Sequence, residues 1–289
     1  MMNRFLVFLF LGSNFMMAQV AQPSLKQEFK SVDLLKSQVL SVPNDLKDLF
    51  LYPVKNPKQT ALFSGITLAL VTIDVPYTDF IQDEVNPLFD RKIHTLNYLP
   101  NSSPEAEFLF AGLVSLYGGS LIAKSEKGQA AAILSTKAMV YSYIYSHLVL
   151  KSIFGRSRPC PDLDNPEEGV YTSNPWKFGH LHKPYFDSRS EHTGFPSFHF
   201  TMYFAAAKTL QRVYDSYWIP YAVCAVGLLP NFRGHNHWLS DMVGGALIGT
   251  MIGNVIADNY FGIERESDNM SFYPIIGSEF NGLTFSLKF

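Results

Sequence analysis

Five apolar segments of helical length dominate this sequence and set the main constraint on its fold. They are Ala61–Val75, Phe108–Ala123, Ala130–Leu150, Ile219–Leu229 and Met242–Ala257. Polar residues interrupt them, such as Asp74 in the first and His147 in the third, so none reaches the ~20 uninterrupted apolar residues of an ordinary membrane span. Such segments suit packed helices, with short or tilted spans left open. The sequence therefore predicts an all-α fold, a helical bundle.

The N-terminal residues have the layout of a secretory signal peptide. Arg4 precedes the apolar run Phe5–Gly12, and the small residue Ala18 stands before Gln19. This run is too short for an ordinary span. We therefore predict a signal peptide over residues 1–18, with a retained anchor as the main alternative. Export would place the chain in the periplasm or outer membrane of a Gram-negative-type bacterium.

The C-terminal tail has a different pattern. Asn281-Gly282 lies between alternating apolar residues, which is a hairpin signal. One hairpin cannot close a barrel, so we predict an edge ribbon packed on the domain. The predicted organisation is a signal peptide (1–18), an N-terminal helical lead-in (19–99), a core domain (100–262) and a tail with a β-hairpin (263–289).

Composition excludes some classes of function. The formal net charge of −2 argues against a nucleic-acid binder, which usually carries a basic excess. Aromatic residues make up 15% of the chain, which suits a large core or contact with lipid. Cys160 and Cys224 could form a disulfide after export, but the sequence does not place them together, and no cysteine-rich metal spacing is present.

The first stretch with functional residues is KSIFGRSRP, which follows the third apolar segment. It gathers Lys151, Arg156 and Arg158 at one place. Taken alone, the stretch is typical of a solvated, positively charged helix end, which also suits the helix dipole.

The second stretch is FPSFHF. Pro196 and Ser197 indicate a helix start with Ser197 as N-cap, which puts His199 in the first turn. The free N–H groups of a first turn favour an anion. An ordinary cap beside a packed histidine is the alternative.

The third stretch, NFRGHNHWLSD, holds His237 and Asp241 four residues apart. On a helix they would share a face, and the carboxylate could hold one imidazole nitrogen and leave the other as a nucleophile. A structural His–Asp pair is the plain alternative. A zinc site built on His235 and His237 with Asp241 is another, but the cations of the first stretch would repel a metal.

Between the first two stretches lies a long segment, 160–195, rich in Pro, Gly, Asn and His. A loop of this length in a compact domain is usually functional or disordered. Its aromatic residues favour an ordered cover.

In this order, the three stretches resemble the motifs of the type-2 phosphatidic-acid phosphatase and vanadium haloperoxidase superfamily, which includes the class A bacterial acid phosphatases. The resemblance spans about residues 100–258. The first motif, Lys, six residues, Arg-Pro, is matched by Lys151 and Arg158. The second, Pro-Ser-Gly-His, is matched apart from the glycine. The third, His, three residues, Asp, is matched by His237 and Asp241.

Two positions depart from the family pattern. Phe198 stands where the family has glycine, which keeps the backbone N–H but narrows the pocket. The family's third motif carries an arginine six residues before the histidine, where this chain has Asn231; Arg233, four before His237, is the candidate replacement. Arg156 is off the motif, and we interpret it as a surface or lid residue.

The resemblance implies a phosphate pocket at the ends of helices. Lys151, Arg158 and Arg233 would hold the phosphoryl oxygens, since an arginine fork pairs well with phosphate. Ser197 and the N–H of Phe198 would add donors.

The resemblance also implies the roles of the remaining motif residues. His237, oriented by Asp241, would attack phosphorus and form a phosphohistidine. His199 would protonate the leaving alcohol and then activate water. No metal or other cofactor is needed.

The substrate implied is a phosphorylated lipid, such as phosphatidic acid, phosphatidylglycerol phosphate, a polyprenyl pyrophosphate or lipid A, handled by a membrane-associated enzyme. A soluble acid phosphatase acting on small phosphomonoesters is the alternative. A haloperoxidase, with vanadate as cofactor in the phosphate pocket, shares the motifs, and a non-catalytic envelope protein is the remaining reading.

Overall fold

The computed structural model describes residues 31–85, 87, 104–167, 169–186, 191–216, 218–228, 237–262, 270–276 and 281–287. The predicted signal peptide lies outside these residues. The described part of the chain is mostly helical, which confirms the predicted all-α fold.

The five apolar segments of the sequence lie largely in helices, and further helices form in the lead-in and at the second motif. The helices are α1 (Ser31–Leu40), α2 (Val42–Lys55), α3 (Pro57–Val71), α4 (Asp74–Phe80), α5 (Pro104–Ile122), α6 (Glu126–Ser142), α7 (Lys151–Phe154), α8 (Phe198–Tyr214), α9 (Ile219–Leu228) and α10 (Leu239–Phe261). A π-helical segment, Tyr143–Leu150, joins α6 to α7. A second one, Ile81–Val85, extends α4.

Close packing of α8 on α10 organises the bundle. Gly245, Gly249 and Gly253 of α10 recur every four residues, and a Cβ on them would come within 2.6, 2.2 and 2.6 Å of backbone oxygens of α8. Those oxygens belong to residues 197, 201 and 205 in the same order, so the two helices run parallel. Their N-termini therefore meet at one end of the bundle.

A buried apolar core surrounds this pair. Leu134 and Tyr141 of α6 pack with Ile252 and Ile256 of α10, and Leu49 of α2 joins them. The core therefore spans the predicted lead-in as well as the predicted core domain.

A buried polar cluster adds a second tie between the two regions. Asp45 of α2 pairs with Lys137 of α6, and it accepts hydrogen bonds from Tyr141 at 3.0 Å and Asn259 at 2.8 Å. This carboxylate lies at the C-terminal end of α10.

Helix α5 differs from the expectation of a buried bundle helix. Only 22% of the segment Glu105–Ile122 is buried inside the protein, and the side chains of Phe110, Val114 and Ile122 are exposed. Two helical segments of the described residues are long and apolar enough to cross a membrane: Glu105–Ile122 and Leu239–Phe261. Two helices that meet at a bend, Pro57–Val71 and Asp74–Val85, could together form a third span.

Two short sheets complete the described structure. A parallel pair, β1 (Arg158–Pro159) and β2 (Tyr171–Thr172), was not predicted and anchors the long loop beside the first motif. The predicted C-terminal hairpin is present as β3 (Met270–Ile276) and β4 (Asn281–Leu287). Asn281-Gly282, however, pairs with Ile275 and Ile276 and begins β4 instead of forming the turn. Cys160 and Cys224 are both buried and are not joined to each other by a disulfide.

Candidate active site

Backbone hydrogen bonds join the three motif segments at the shared end of α8 and α10. Gly194 N–H donates to the carbonyl of Arg156 at 2.8 Å, and Ser197 N–H donates to the carbonyl of Asp241 at 3.0 Å. The indole N–H of Trp238 donates to the carbonyl of Ser157 at 3.1 Å. The structure therefore brings the three motif segments together, as the family resemblance implied.

Two cations of the first motif, the buried Lys151 and the partly buried Arg158, lie close to each other. Lys151 is 2% exposed, and burial, then the neighbouring Arg158, lower the pKa of its ammonium well below the usual value. Arg158 donates from Nε to Thr193 Oγ1 at 3.2 Å. Within the described part of the chain, neither cation forms an ion pair with a carboxylate. An anion bound here would offset their unfavourable burial.

The chain reaches this position through a glycine. Helix α7 ends at Gly155, whose φ of +48° is left-handed, and a Cβ there would meet the carbonyl of His180 at 2.0 Å. The turn sends the following residues back across the ends of α8 and α10.

The second motif forms the start of α8. Ser197 is the N-cap, as predicted, but its side chain makes no capping hydrogen bond. Its buried Oγ has no partner among the described residues. The N–H groups of this first turn are the ones that a helix leaves free for an anion.

An aromatic wall follows Ser197. The ring of Phe198 packs edge-on against Tyr143 and His147, with centroids 5.9 and 5.7 Å apart. Tyr185 of the long loop is buried and lies 4.7 Å from His147. This part of the loop is therefore an ordered cover, as predicted.

His199 lies in the first turn of α8, where it was expected. Its Nε2 is 3.7 Å from Oε2 of Glu105 in α5. Burial lowers its pKa to about 4; Glu105 raises it, while Lys151 and Arg158 lower it further. The effect of both cations on this imidazole indicates that the three groups share one site.

The side chains of His237 and Asp241 lie next to each other, although only Asp241 is helical. His237 precedes α10, and its Nδ1 lies 3.5 Å from Oδ2 of Asp241. The same Oδ2 accepts the backbone N–H of Trp238 at 3.1 Å, which fixes the carboxylate. Because Nδ1 faces the carboxylate, Nε2 lies on the far side of the ring.

Arg156 is not a surface or lid residue, so that interpretation was wrong. Its side chain is fully buried and forms ion pairs with Asp241 at 2.6 Å and Asp74 at 2.7 Å. It also packs 4.5 Å from the centroid of the Phe178 ring. A buried guanidinium needs such partners, and two carboxylates and aromatic faces supply them.

Sequence reasoning missed Asp74, Glu105 and His147 as neighbours of the site. One signal was available for Asp74, because a carboxylate inside an apolar segment needs a buried partner. No comparable signal marked Glu105. Arg233, Asn231 and His235 lie outside the described residues, so the predicted role of Arg233 stays a prediction.

The comparisons with known proteins agree with this geometry. Residues 130–263 match the family model of the PAP2 superfamily, and that range contains all three motifs. Comparison with curated proteins and with solved structures gave no significant match. PAP2 proteins are generally phosphatases that act on phosphate esters. The motifs, their meeting at the ends of two parallel helices and the matched range together identify residues 130–263 as a PAP2 superfamily domain.

Proposed function

We propose that this protein is a metal-independent phosphatase that removes phosphate from a lipid phosphate ester through a phosphohistidine intermediate. The main support is a pair of neighbouring cations, the buried Lys151 and the partly buried Arg158, which lack a carboxylate ion pair among the described residues. Such a pair is stabilised by an anion. Phosphate suits the planar fork of arginine.

The neighbouring donors complete the pocket in this proposal. The unpartnered Oγ of Ser197 and the first N–H groups of α8 would donate to phosphoryl oxygens, and Arg233 would add a guanidinium. Fixed donors of this kind stabilise the charge of the transition state without having to reorganise.

The chemistry would then proceed in two steps. Nε2 of His237 attacks phosphorus, the P–O ester bond breaks, and the leaving oxygen takes a proton from His199. Water next gives its proton to His199 and attacks the phosphohistidine, and the P–N bond breaks to release phosphate. Asp241 holds Nδ1 of His237 and stabilises its positive charge in both steps.

Two observations favour a lipid over a small phosphomonoester. The aromatic wall of Tyr143, Phe198 and Tyr185 adjoins His199, where the leaving alcohol would lie. Helix α5, which supplies Glu105, also exposes an apolar face. Together with the predicted export signal, they support a membrane-associated phosphatase in the bacterial envelope.

Phosphate release by the purified full chain, in detergent with EDTA, tests the proposal. We compare wild type with His237→Ala on phosphatidic acid and on p-nitrophenyl phosphate. Release should persist in EDTA and fall at least about 1000-fold in the variant, because the nucleophile is lost. His180→Ala, a loop histidine stacked on His192, is the control and should retain activity.

The relative rates on phosphatidic acid and p-nitrophenyl phosphate decide between a lipid and a soluble phosphate ester as substrate.

Trapping the intermediate tests the mechanism directly. An alkaline quench during turnover should retain a phosphoryl group on the wild-type chain, since the P–N bond of a phosphohistidine survives alkali. Release that needs a metal, or that survives in His237→Ala, would contradict the mechanism.

A further inference from the structure

A buried charge network extends from the candidate nucleophile into the lead-in helices. Arg156 contacts both Asp241 and Asp74, and all three side chains are fully buried. Asp74 begins α4, outside the matched range 130–263. The network therefore joins the PAP2 domain to a helix that the family model does not cover.

Every polar group of the network is held by more than one partner. Ser240 donates its backbone N–H to Asp74 Oδ1 at 2.8 Å and its hydroxyl to Asp74 Oδ2 at 2.5 Å. Arg156 donates to Ser240 Oγ at 2.6 Å and to the carbonyl of Pro175 at 2.5 and 3.0 Å. Because both carboxylates and the guanidinium are fixed, Asp241 has little freedom to move relative to His237.

One guanidinium faces two carboxyl groups beside His237. Burial raises the pKa of both carboxyls, and the guanidinium of Arg156 opposes that rise. The other described charges that act on Asp241 are Lys151 and Arg158. With Asp74 neutral, Arg156 would be opposed by Asp241 alone, and a positive charge on His237 would be stabilised less.

We propose that Asp74 is a positioning residue that acts through Arg156: it shares the guanidinium with Asp241 and so keeps Asp241 able to orient and charge-stabilise His237. The inference rests on the proposed roles of His237 and Asp241. A purely structural brace would contribute stability but would not alter the protonation of His237.

The test is a pH titration of the histidine side chains by ¹⁵N NMR on the full chain in detergent, with the His237 signal assigned by its loss in His237→Gln. In Asp74→Asn the midpoint of the His237 titration should move to lower pH by on the order of one unit. Asp74→Glu, which keeps the charge, should restore the wild-type midpoint. Asp74→Ser replaces Asp74→Asn if the amide prevents folding, since it leaves room for water.

Asp45→Asn is the matched control. It also removes a buried, ion-paired carboxylate, but Asn259, which contacts Asp45, lies roughly 27 Å along α10 from Asp241. It should lower the melting temperature and leave the His237 titration unchanged. An unchanged midpoint in Asp74→Asn, or an equal shift in Asp45→Asn, would overturn the inference.

Kinetics give an independent readout. In Asp74→Asn kcat should fall about 10–100-fold with little change in KM, because the variant affects the nucleophile and not the phosphate donors. An increase in KM at constant kcat would contradict a positioning role. The NMR titration needs no turnover, so absence of activity in wild type would refute the proposed function and still leave this inference decided by the titration.

Discussion

His199 is neutral at physiological pH in the ligand-free site, yet its proposed role requires a proton to donate. Burial lowers its pKa to about 4, helped by Lys151 and Arg158. A phosphate dianion bound to these two cations would offset their effect on the imidazole. Binding of the substrate would therefore favour the protonated form, and the acid would be charged only when a leaving group is present.

Glu105 opposes the two cations, because its carboxylate raises the pKa of His199. In Glu105→Gln this effect is lost, so the pKa of His199 should fall. A smaller fraction of the enzyme then carries the proton on His199 at a given pH. The basic limb of the kcat profile should move to lower pH by on the order of one unit. The measurement is kcat against pH on p-nitrophenyl phosphate.

Glu126→Gln serves as the control for this prediction. Glu126 is an exposed carboxylate in the first turn of α6. The dependence of kcat on pH in Glu126→Gln should therefore match that of wild type. A Glu105→Gln profile that superimposes on wild type would remove Glu105 from the acid–base chemistry.

The motif residues could be located from the sequence because their spacing along the chain is short and fixed. The helix start at Ser197 follows from a local rule, and the four-residue spacing of His237 and Asp241 indicated their proximity, although His237 precedes α10. Asp74 and Glu105 could not be assigned in this way, because their partners lie far away in the sequence and only tertiary packing joins them. Arg156 was misread for the same reason.

The parallel arrangement of α8 and α10 explains why the site lies at helix starts. Their glycine-mediated contact sets the relative height of the two N-termini, and the hydrogen bond from Ser197 N–H to the Asp241 carbonyl fixes it. Two helix dipoles then present their positive ends to one place. This adds to the effect of Lys151 and Arg158 on a bound anion.

The helix contact predicts the effect of a single methyl group. In Gly249→Ala the new Cβ would lie 2.2 Å from the carbonyl oxygen of Thr201, so α10 and α8 must separate. We expect a loss of about 1–3 kcal/mol of unfolding free energy, measured by denaturant unfolding in detergent.

Gly118→Ala in α5 is the matched variant, since a Cβ there meets nothing within 4 Å. It should be neutral or stabilise by up to about 1 kcal/mol through helix propensity. Equal stability of Gly249→Ala and wild type would mean that the helices are not in close contact.

The helices that lie on the five apolar segments were predictable, but some details of the elements were not. The π-helical segment Tyr143–Leu150 continues an ordinary helical pattern, so nothing in the sequence distinguishes it from α6. The strand β4 includes Asn281-Gly282 because a hairpin register depends on pairing along both strands, which outweighs a local turn preference.

The exposed apolar side chains of α5 indicate which surface of the protein contacts lipid or a partner. Helix α5 buries little of its length, and its exposed side chains include Phe108, Phe110, Val114, Leu121 and Ile122. An apolar face of this size on a soluble surface is costly and typical of contact with lipid or another protein. Since Glu105 of the same helix contacts His199, a lipid surface along α5 would lie next to the candidate site.

Val114→Glu tests this association with lipid. A carboxylate in hydrocarbon costs about 2.5–3.5 kcal/mol, so binding to phosphatidylglycerol–phosphatidylethanolamine vesicles should weaken at least tenfold. Hydrolysis of vesicle-borne phosphatidic acid should fall with it, whereas hydrolysis of p-nitrophenyl phosphate should not, because Val114 is exposed and outside the phosphate pocket.

Val32→Glu is the control, because it makes the same change at an exposed position of the short helix α1. It should leave vesicle binding intact. Equal vesicle binding by Val114→Glu and wild type would show that α5 does not contact lipid, and would favour a soluble substrate for the same site.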